Sequence, residues 1–479
     1  MTSPIPAAPA HTASRPNVTL AVLALVGLVY ALLQSLVAPA LPTIQRELGA
    51  SESGVAWILS GYLLSAAVAT PILGRLGDVH GKRNVMMLTI AGMGAGTLIA
   101  AVATSLPLMV AGRVVQGVGG GVFPLAFGIV RDEFPKEKVA GSIGFLSALL
   151  GLGGGVGVVL SGLIVDHMSY HWIFWLPLAI AVIALIATAL VVPESPVRAK
   201  RRINWAGAGL MSIGLSAVLL AVSQTHLWGW GSPKTLGLIA AGLIVLFAWV
   251  RSELRSDSPL VDMRVMALRG VWTTNLTAVL LGVAMFSGFV LIPQFVQTPS
   301  HAGFGFGSSV TAAGMFLVPM SLAMLLVGTF AGSLERRFGS KPPLIAGVGF
   351  VLASFVMLLA VHDSQLPLFI ASAGLGTGMG FAFAAMANLI VQAVPPDQTG
   401  VATGINTVAR SVGSAFGSQI AATLVAGSVV ASGLPTVDGY NQAFLMGIAA
   451  LVICLGVSLL IPSRSRARQP APAPAPAPA

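Results

Sequence analysis

The sequence predicts an all-α membrane protein of fourteen spanning helices: two pseudo-symmetric six-helix bundles with a two-helix insertion between them. Three observations predict it. Of 479 residues, 56% are hydrophobic and only 8% charged, with a mean hydropathy of +0.90, which is more apolar surface than a water-soluble core can hide. Fourteen stretches are long and apolar enough to cross a bilayer. Glycines and prolines also recur in the same order about 259 residues apart.

The chain opens with a Pro/Ala-rich stretch, residues 1–17, expected to be a disordered cytoplasmic tail. The apolar run from Val18 is too long for the core of a signal peptide and reads as the first span. A span needs roughly 20 apolar residues. Six such stretches, near 18–41, 54–75, 85–104, 106–130, 140–165 and 171–192, make the first bundle, 18–192. Two more, near 204–224 and 235–252, fall inside a linker, 193–270. The second bundle, 271–462, takes six near 271–297, 308–331, 342–361, 366–394, 400–430 and 442–462. A basic RSRAR and a Pro-Ala repeat follow, 463–479, expected to be an extended cytoplasmic tail of polyproline type.

Charge placement tests the helix count. With both termini cytoplasmic, 21 of the 25 Lys and Arg residues fall inside; Arg46 and Lys234 fall outside, and Arg113 and Arg410 within helices. This is the positive-inside asymmetry, and adding or dropping one helix scrambles it downstream. Scattered in short loops, the +10 balance is no nucleic-acid patch. The loop with Arg198, Lys200, Arg201 and Arg202 closes the first bundle. One cysteine, Cys454, excludes an intramolecular disulfide. The chain reads as a monomeric, multi-pass protein of the cell membrane whose partners are lipid and a small-molecule substrate, with protons as the candidate coupling ion.

The repeat is carried by three blocks in one order. Gly74, Leu76 and Gly81 match Gly332, Leu334 and Gly339. Gly117, Gly119 and Gly121 match Gly376, Gly378 and Gly380, and Pro135, Gly144, Gly153 and Gly157 match Pro395, Gly404, Gly413 and Gly417. Parallel repeats of this kind place a substrate site between the halves near mid-membrane.

Between the second and third spans lies Gly74–Arg83, G-R-L-G-D-V-H-G-K-R. It reads as a short charged hairpin. Gly74 and Gly77 let a helix end lie against a neighbour, Asp78 stands at a helix terminus among the cations Arg75, Lys82 and Arg83, and Gly81 supplies a left-handed turn. It is no nucleotide loop, because Leu76 and Arg83 stand where a phosphate cradle needs glycine and a hydroxyl. A basic loop that only sets orientation is the plainer reading; its recurrence in the second half favours a gating one.

The hairpin resembles the loop between the second and third helices of the major facilitator superfamily, G-x-L-[AG]-D-x-x-G-[RK]-[RK]. Arg113-Val-Val-Gln116-Gly117-Val-Gly119 is similar to that family's fourth-helix pattern, Trp57 and Tyr62 to the aromatic pair of its second helix, and Trp172-Ile-Phe174 to the start of its sixth. Asn406, Arg410, Gly413 and Gly417 resemble a stripe in its thirteenth. The resemblance covers about 18–462, and six helices, two inserted and six more look like the 14-helix drug:proton antiporter branch. It implies a major facilitator fold and drug efflux against protons. Two positions depart from the pattern. Leu33, followed by Gln34 and Ser35, stands where the family usually carries an aspartate nine residues before Pro42. Gly157-Val158-Val159-Leu160-Ser161-Gly162 lacks the proline of the fifth-helix antiporter pattern G-P-x-x-G-G.

Arg113 lies about two turns inside its span, where a cation costs a few kcal/mol and usually marks a functional path. It shares a face with Gln116. Two readings stand: a brace tied to backbone carbonyls, or a residue of the coupling or substrate path, the second being expected. Arg410, near the membrane centre, is expected to face a cavity with Asn406. With no carboxylate beside them, the two arginines favour an anionic or neutral, partly aromatic substrate. Gly117, Gly153, Gly157 and Gly162 are expected hinge surface, since small residues permit close, sliding helix contacts.

No acid lies mid-span, so the coupling candidates are Asp78, Asp166, Arg113 and Gln116. Uncharged polar and aromatic residues inside helices are the expected substrate contacts: Gln34, Trp57, Tyr62, Asn275, Gln294, Asn388 and Asn406, with Arg410. Asp166, His167 and His171 are read as ordinary loop residues, not as a zinc site. No catalytic cluster or cofactor motif is present, so the expectation is no enzyme but a secondary transporter that exports drug-like or amphipathic organic compounds by alternating access. An exporter of an endogenous metabolite or lipid is the alternative, and a channel-like or sensory membrane protein the next.

Overall fold

The computed structural model describes residues 15–199, 203–300, 304–361, 364–429 and 434–462. Residues 1–14 and 463–479 of the two expected tails, and the basic run 200–202, lie outside the described residues. Fourteen long helices follow one another. The first bundle holds α1 (Pro16–Ser35), α2 (Glu52–His80), α3 (Lys82–Ala101), α4 (Leu106–Glu133), α5 (Lys136–His167) and α6 (Trp172–Val191). The insertion is α7 (Trp205–Ser223) and α8 (Pro233–Arg255). The second bundle holds α9 (Arg269–Gln297), α10 (Thr311–Phe338), α11 (Lys341–Ala360), α12 (Gln365–Ala393), α13 (Thr399–Ala426) and α14 (Val437–Leu460).

Among the described residues, 13 of these helices are both long and apolar enough to cross a membrane. The remaining one, α13, has 28 residues but carries Asn406, Arg410, Ser414 and Gln419 along its length. Several helices outrun the apolar stretches that announce them. Hydropathy drops at the first charges, whereas backbone hydrogen bonding continues, so α2 runs on through Asp78 to His80 and α10 through Glu335 to Phe338.

Two local breaks have identifiable causes. The first expected span, 18–41, is two helices: α1 stops at Ser35 and a second helix, Val37–Glu47, follows with Pro42 inside it. Pro39 has no N–H to donate to the carbonyl of Ser35, which is where the first helix stops. In α4, glycine-rich Gly117–Gly121 tightens into a 3-10 turn. That lets Gly117 press its backbone against Ser65 and Ala66 of α2.

Each bundle has its own core. Leu23, Met86, Ile90, Phe123 and Ile143 are among the buried residues of the first, and Leu281, Val348, Phe355, Leu375 and Phe444 of the second. Inside a bilayer the drive for this packing is close fit rather than escape from water, and the glycines supply the fit in a symmetric way. In the first half Gly153 of α5 is pressed on Ala31 of α1; in the second, Gly413 of α13 is pressed on Val279 of α9. The other faces of α5 and α13 cross between halves. Gly144 and Gly328 bring α5 against α10, and Gly404 lies against Thr70 and Pro71 of α2.

The same exchange closes one end of the molecule. A methyl group at Gly74 would strike the carbonyl of Gly400, and one at Gly332 would strike the backbone of Gly141. Lys138 Nζ reaches Asn17 Oδ1 at 3.5 Å, Lys341 Nζ donates to the carbonyl of Leu459 at 2.8 Å, and Arg269 Nε to that of Leu460 at 3.0 Å. Both described chain ends therefore lie at the hairpin end. The inserted pair packs beside the α2–α13 contact, where Leu215 and Leu219 meet Ala67 and Val408. Its outer helix presents Ile244 and Phe247 to the surroundings.

Candidate functional site

The Gly74–Arg83 stretch is not a loop. Gly74 to His80 form the last two turns of α2, Lys82 and Arg83 the first turn of α3, and only Gly81, at φ 104°, is the turn. Asp78 is at the helix terminus expected for it, and the expected loop shrinks to a turn of one residue. Asp78 is fully buried. Its Oδ1 accepts the N–H of Gly400 at 3.1 Å and its Oδ2 that of Val401 at 3.0 Å. Those amides belong to the first turn of α13, where orphan N–H groups and the helix dipole both favour an anion. Gly74 is what lets them arrive, because any side chain there would hold α13 away.

The expected ring of three cations around Asp78 is only partly present. Lys82 Nζ stands 3.6 Å from Asp78 but 2.7 Å from Asp132 Oδ2, so it bridges two carboxylates. Arg83 turns away and donates to the carbonyl of Ala189 at the end of α6. The segment after α6 straps the turn down. Glu194 receives the amides of Arg83 and Asn84, Ser195 Oγ donates to Asp132, and the N–H of Ala199 donates to the carbonyl of Asp78 at 2.6 Å.

A second cross-half contact lies beside the first. Arg131 of α4 donates to Thr399 Oγ1 at 2.6 Å, to the carbonyl of Val394 at 2.9 Å and to that of Pro395 at 3.3 Å. It thereby joins the C-terminal end of α12 to the start of α13. In the second half, Arg336 stands where Asp78 stands in the first and donates to the carbonyl of Glu137 at 3.3 Å. Asn388 Nδ2 donates to the carbonyl of Ala140 at 3.2 Å. Asn388 is thus a contact between halves, not a cavity residue. Beside it, buried Glu335 takes a 2.5 Å hydrogen bond from Ser340 Oγ.

Arg113 has no exposure and sits among donors' targets rather than in open space. Its Nε donates to the carbonyl of Ile58 and its Nη1 to that of Leu33, both at 3.1 Å, and Nη1 also donates to Gln116. Gln116 passes the chain on to Thr97 at 2.8 Å. The guanidinium lies 4.2 Å from the centre of the Tyr62 ring. The network joins α1, α2, α3 and α4, the geometry of a brace. Arg113 and Tyr62 thus stand in the interior of the first bundle, with Arg113 Nη2 and the Tyr62 hydroxyl left without a hydrogen-bond partner among the described residues.

A small cavity, with room for about one water, lies between the halves. The first half lines it with Phe123, Phe127, Ser147 and Leu150. The second half contributes Phe383, Thr403, Asn406, Thr407 and Arg410. Arg410 rests its guanidinium 4.3 Å from the Phe383 ring centre, and Asn406 Nδ2 donates to Asn275 Oδ1 at 2.9 Å. Asn406 and Arg410 are therefore brought together in the cavity, with Asn275 one bond behind. Gln34, Trp57, Tyr62, Gln294 and Asn388 are not in its lining. Trp57 is 38% exposed on the outer surface of α2, Gln294 is exposed near the end of α9, and Gln34 is half-buried on α1.

Asp166 is exposed at the end of α5 remote from the hairpin. Gly153 and Gly157 make close approaches to Ala31 and Ser35, Gly117 to Ser65, whereas Gly162 has only an ordinary contact with Thr311 at 3.6 Å. Sequence reasoning missed Arg131, Asp132, Glu194, Glu335 and Ser147. The charged cluster Arg131-Asp132-Glu133, ending a span, was the available signal for the first two. Glu335 and Ser147 carried none. Among the described residues no group of His, Cys, Asp and Glu is arranged to hold a metal.

The model of the Major Facilitator Superfamily matches residues 23–418. The chain is 28% identical over 436 residues to the tetracenomycin C resistance and export protein of Streptomyces glaucescens, covering 88% of this chain and 79% of that one. It is 28% identical over 394 residues to the multidrug resistance protein B homolog of Mycobacterium tuberculosis (80% and 71%). The same identity holds over 388 residues to the multidrug transporter protein MdtP of Bacillus subtilis (80% and 70%). In fold it is similar to the human organic anion transporter MFSD10 (TM-score 0.67, 16% identity, 93% and 99% covered). It is also similar in fold to the proton:xylose symporter XylE (TM-score 0.64, 14% identity, 94% and 96% covered).

Proposed function

This chain belongs to the Major Facilitator Superfamily, and on that premise we propose that it exports drug-like, amphipathic organic compounds by alternating access. Membership makes it a multi-pass membrane transporter of small molecules and not an enzyme. The export reading is supported by relatives named for resistance and export. The observation that carries the mechanism is the cavity shared by both halves and shut at the hairpin end by Asp78 on the amides of Gly400 and Val401.

These contacts are suited to breaking and reforming. A carboxylate on two helix-end amides is a charge-assisted pair, worth more than a neutral bond yet separable by moving one helix end. Arg131 on Thr399, Pro395 and Val394 is a second such latch. With the latches engaged, α5–α10 and α2–α13 seal the hairpin end; with them broken, the halves rock apart there. The weight of Lys and Arg in the hairpin loops orients that end, with both termini, toward the cytoplasm. The transporting unit is one chain, since both halves of the cavity come from it.

The test is efflux from proteoliposomes holding the purified protein, with and without an imposed proton gradient. Export of an amphipathic dye that a gradient accelerates supports proton-driven efflux. Export indifferent to the gradient leaves an exporter without proton coupling, and no movement of any amphipathic probe by folded protein overturns the reading.

A further inference from the structure

We propose that the central cavity is a binding site for a small planar aromatic anion, with Arg410 holding the acid group and Ser147 donating to it from the opposite half. The inference rests on the exporter reading above and names its substrate class.

Four observations carry it. Arg410 is the one charged side chain in the lining, and no carboxylate stands there to neutralise it. Its guanidinium makes no hydrogen bond to another described residue; its partner is the face of Phe383. A guanidinium stacked on a ring keeps its edge free, and the edge is what receives a carboxylate in a two-pronged bond. Ser147 is 2% exposed, lines the same cavity, and its Oγ has no hydrogen-bond partner among the described residues. A buried hydroxyl left unsatisfied is costly, so a ligand oxygen there recovers what the fold leaves unmet.

The remaining walls set the body of the ligand. Phe123 and Phe127 approach each other at 5.9 Å between ring centres on the first-half side, and Phe383 faces from the second. Aromatic faces on both sides favour a flat ring system between them. With the hairpin end closed the space has room for about one water, so the ligand is admitted only as the halves part and their aromatic walls separate around it. Arg113 stands outside this lining, held within the first bundle by the carbonyls of Ile58 and Leu33 and by Gln116. In a low-dielectric cleft the lone positive charge draws anions and repels the lipophilic cations. Because Arg410 and Ser147 come from opposite halves, the anion also joins them, which ties occupancy to the relative position of the bundles.

The test uses purified full-length protein and three matched probes: 1-naphthoate, 1-naphthylmethanol and trimethyl-1-naphthylammonium. Binding is read by calorimetry in detergent, and transport by efflux from proteoliposomes. Wild type is expected to bind naphthoate at least tenfold more tightly than the ammonium. Arg410→Gln should weaken naphthoate at least tenfold while leaving the alcohol within threefold, Arg410→Lys should restore part of the loss, and Ser147→Ala should cost a few-fold. Unchanged melting temperatures certify that the variants are folded. Asp78→Asn separates the two readings: naphthoate binding persists while efflux falls. Equal or tighter binding of the ammonium, or naphthoate affinity untouched by Arg410→Gln, overturns the anion site even where export of other compounds stands. Failure of wild type to bind any of the three overturns it as well.

Discussion

Asp78 Oδ2 accepts the backbone N–H of Val401 at 3.0 Å, across 323 residues of chain. A carboxylate at the end of one helix thus finishes the first turn of another, in the opposite half of the molecule. Lys82, 3.6 Å away, balances its charge while holding Asp132 more tightly. The bond is local in space and remote in sequence.

Asp78→Asn keeps the shape but replaces one acceptor oxygen by a donor that faces an amide. Hydrogen bonds to charged groups contribute about 1.5–3 kcal/mol, so closure of the hairpin end should weaken by roughly tenfold to a hundredfold. Efflux should drop at least tenfold with insertion unaffected. A cysteine at Thr403, in a Cys454-free background, should react faster with a membrane-impermeant maleimide supplied at the hairpin end. Normal transport by this variant leaves the stretch as a topology signal only.

Gly74→Ala and Gly332→Ala should resemble each other, since each methyl group meets backbone of the other half, at Gly400 and at Gly141. Both should open the hairpin end by the same maleimide measure. Opposite effects from the two substitutions would contradict the symmetric exchange of contacts between the repeats.

Arg113→Lys removes the fork that serves Ile58, Leu33 and Gln116 together. Leaving buried acceptors unmet costs about 1–3 kcal/mol each, so the variant should melt several degrees lower. Ligand affinity of the surviving folded protein should stay within threefold. A large loss of affinity at unchanged stability would return Arg113 to the substrate path.

Glu335→Gln gives the opposite expectation. Glu335 is buried, takes a bond from the neutral Ser340 hydroxyl, has the Asn388 amide beside it, and forms no ion pair among the described residues. A buried carboxylate without a cation is costly, so the neutral isostere should melt at the same temperature or higher. Thermal unfolding of Glu335→Gln beside Arg113→Lys checks both signs; a loss of several degrees for the glutamine would show that Glu335 is paired in its ionised form.

Much of the architecture was legible in order along the chain. Apolar runs of bilayer length, separated by basic loops, specify helices because lipid offers the backbone no other partner. Gly74, Gly332, Gly141 and Gly400 could be read as small residues, but not as two mutually exchanged contacts, because pairing depends on how four helices cross. The same holds for Arg113 and Arg410. Both are single cations in apolar helices, and sequence reading treated them alike. One donates to the carbonyls of Leu33 and Ile58; the other rests on the Phe383 ring in the lining between the halves.

By itself, then, the sequence determined the helix count, the repeat, the location of the charged turn and the family, since each depends on composition and spacing along one chain. Only the tertiary structure decided that Asp78 ends on α13, that Asn388 bridges the halves, that Arg131 reaches Thr399 and Glu335 is buried, and that Arg410 with Ser147 lines the cavity. The physical reason is that hydropathy and helical period record what each residue prefers, whereas the partner of a buried polar group is set by which helix faces cross, a relation between segments more than a hundred residues apart.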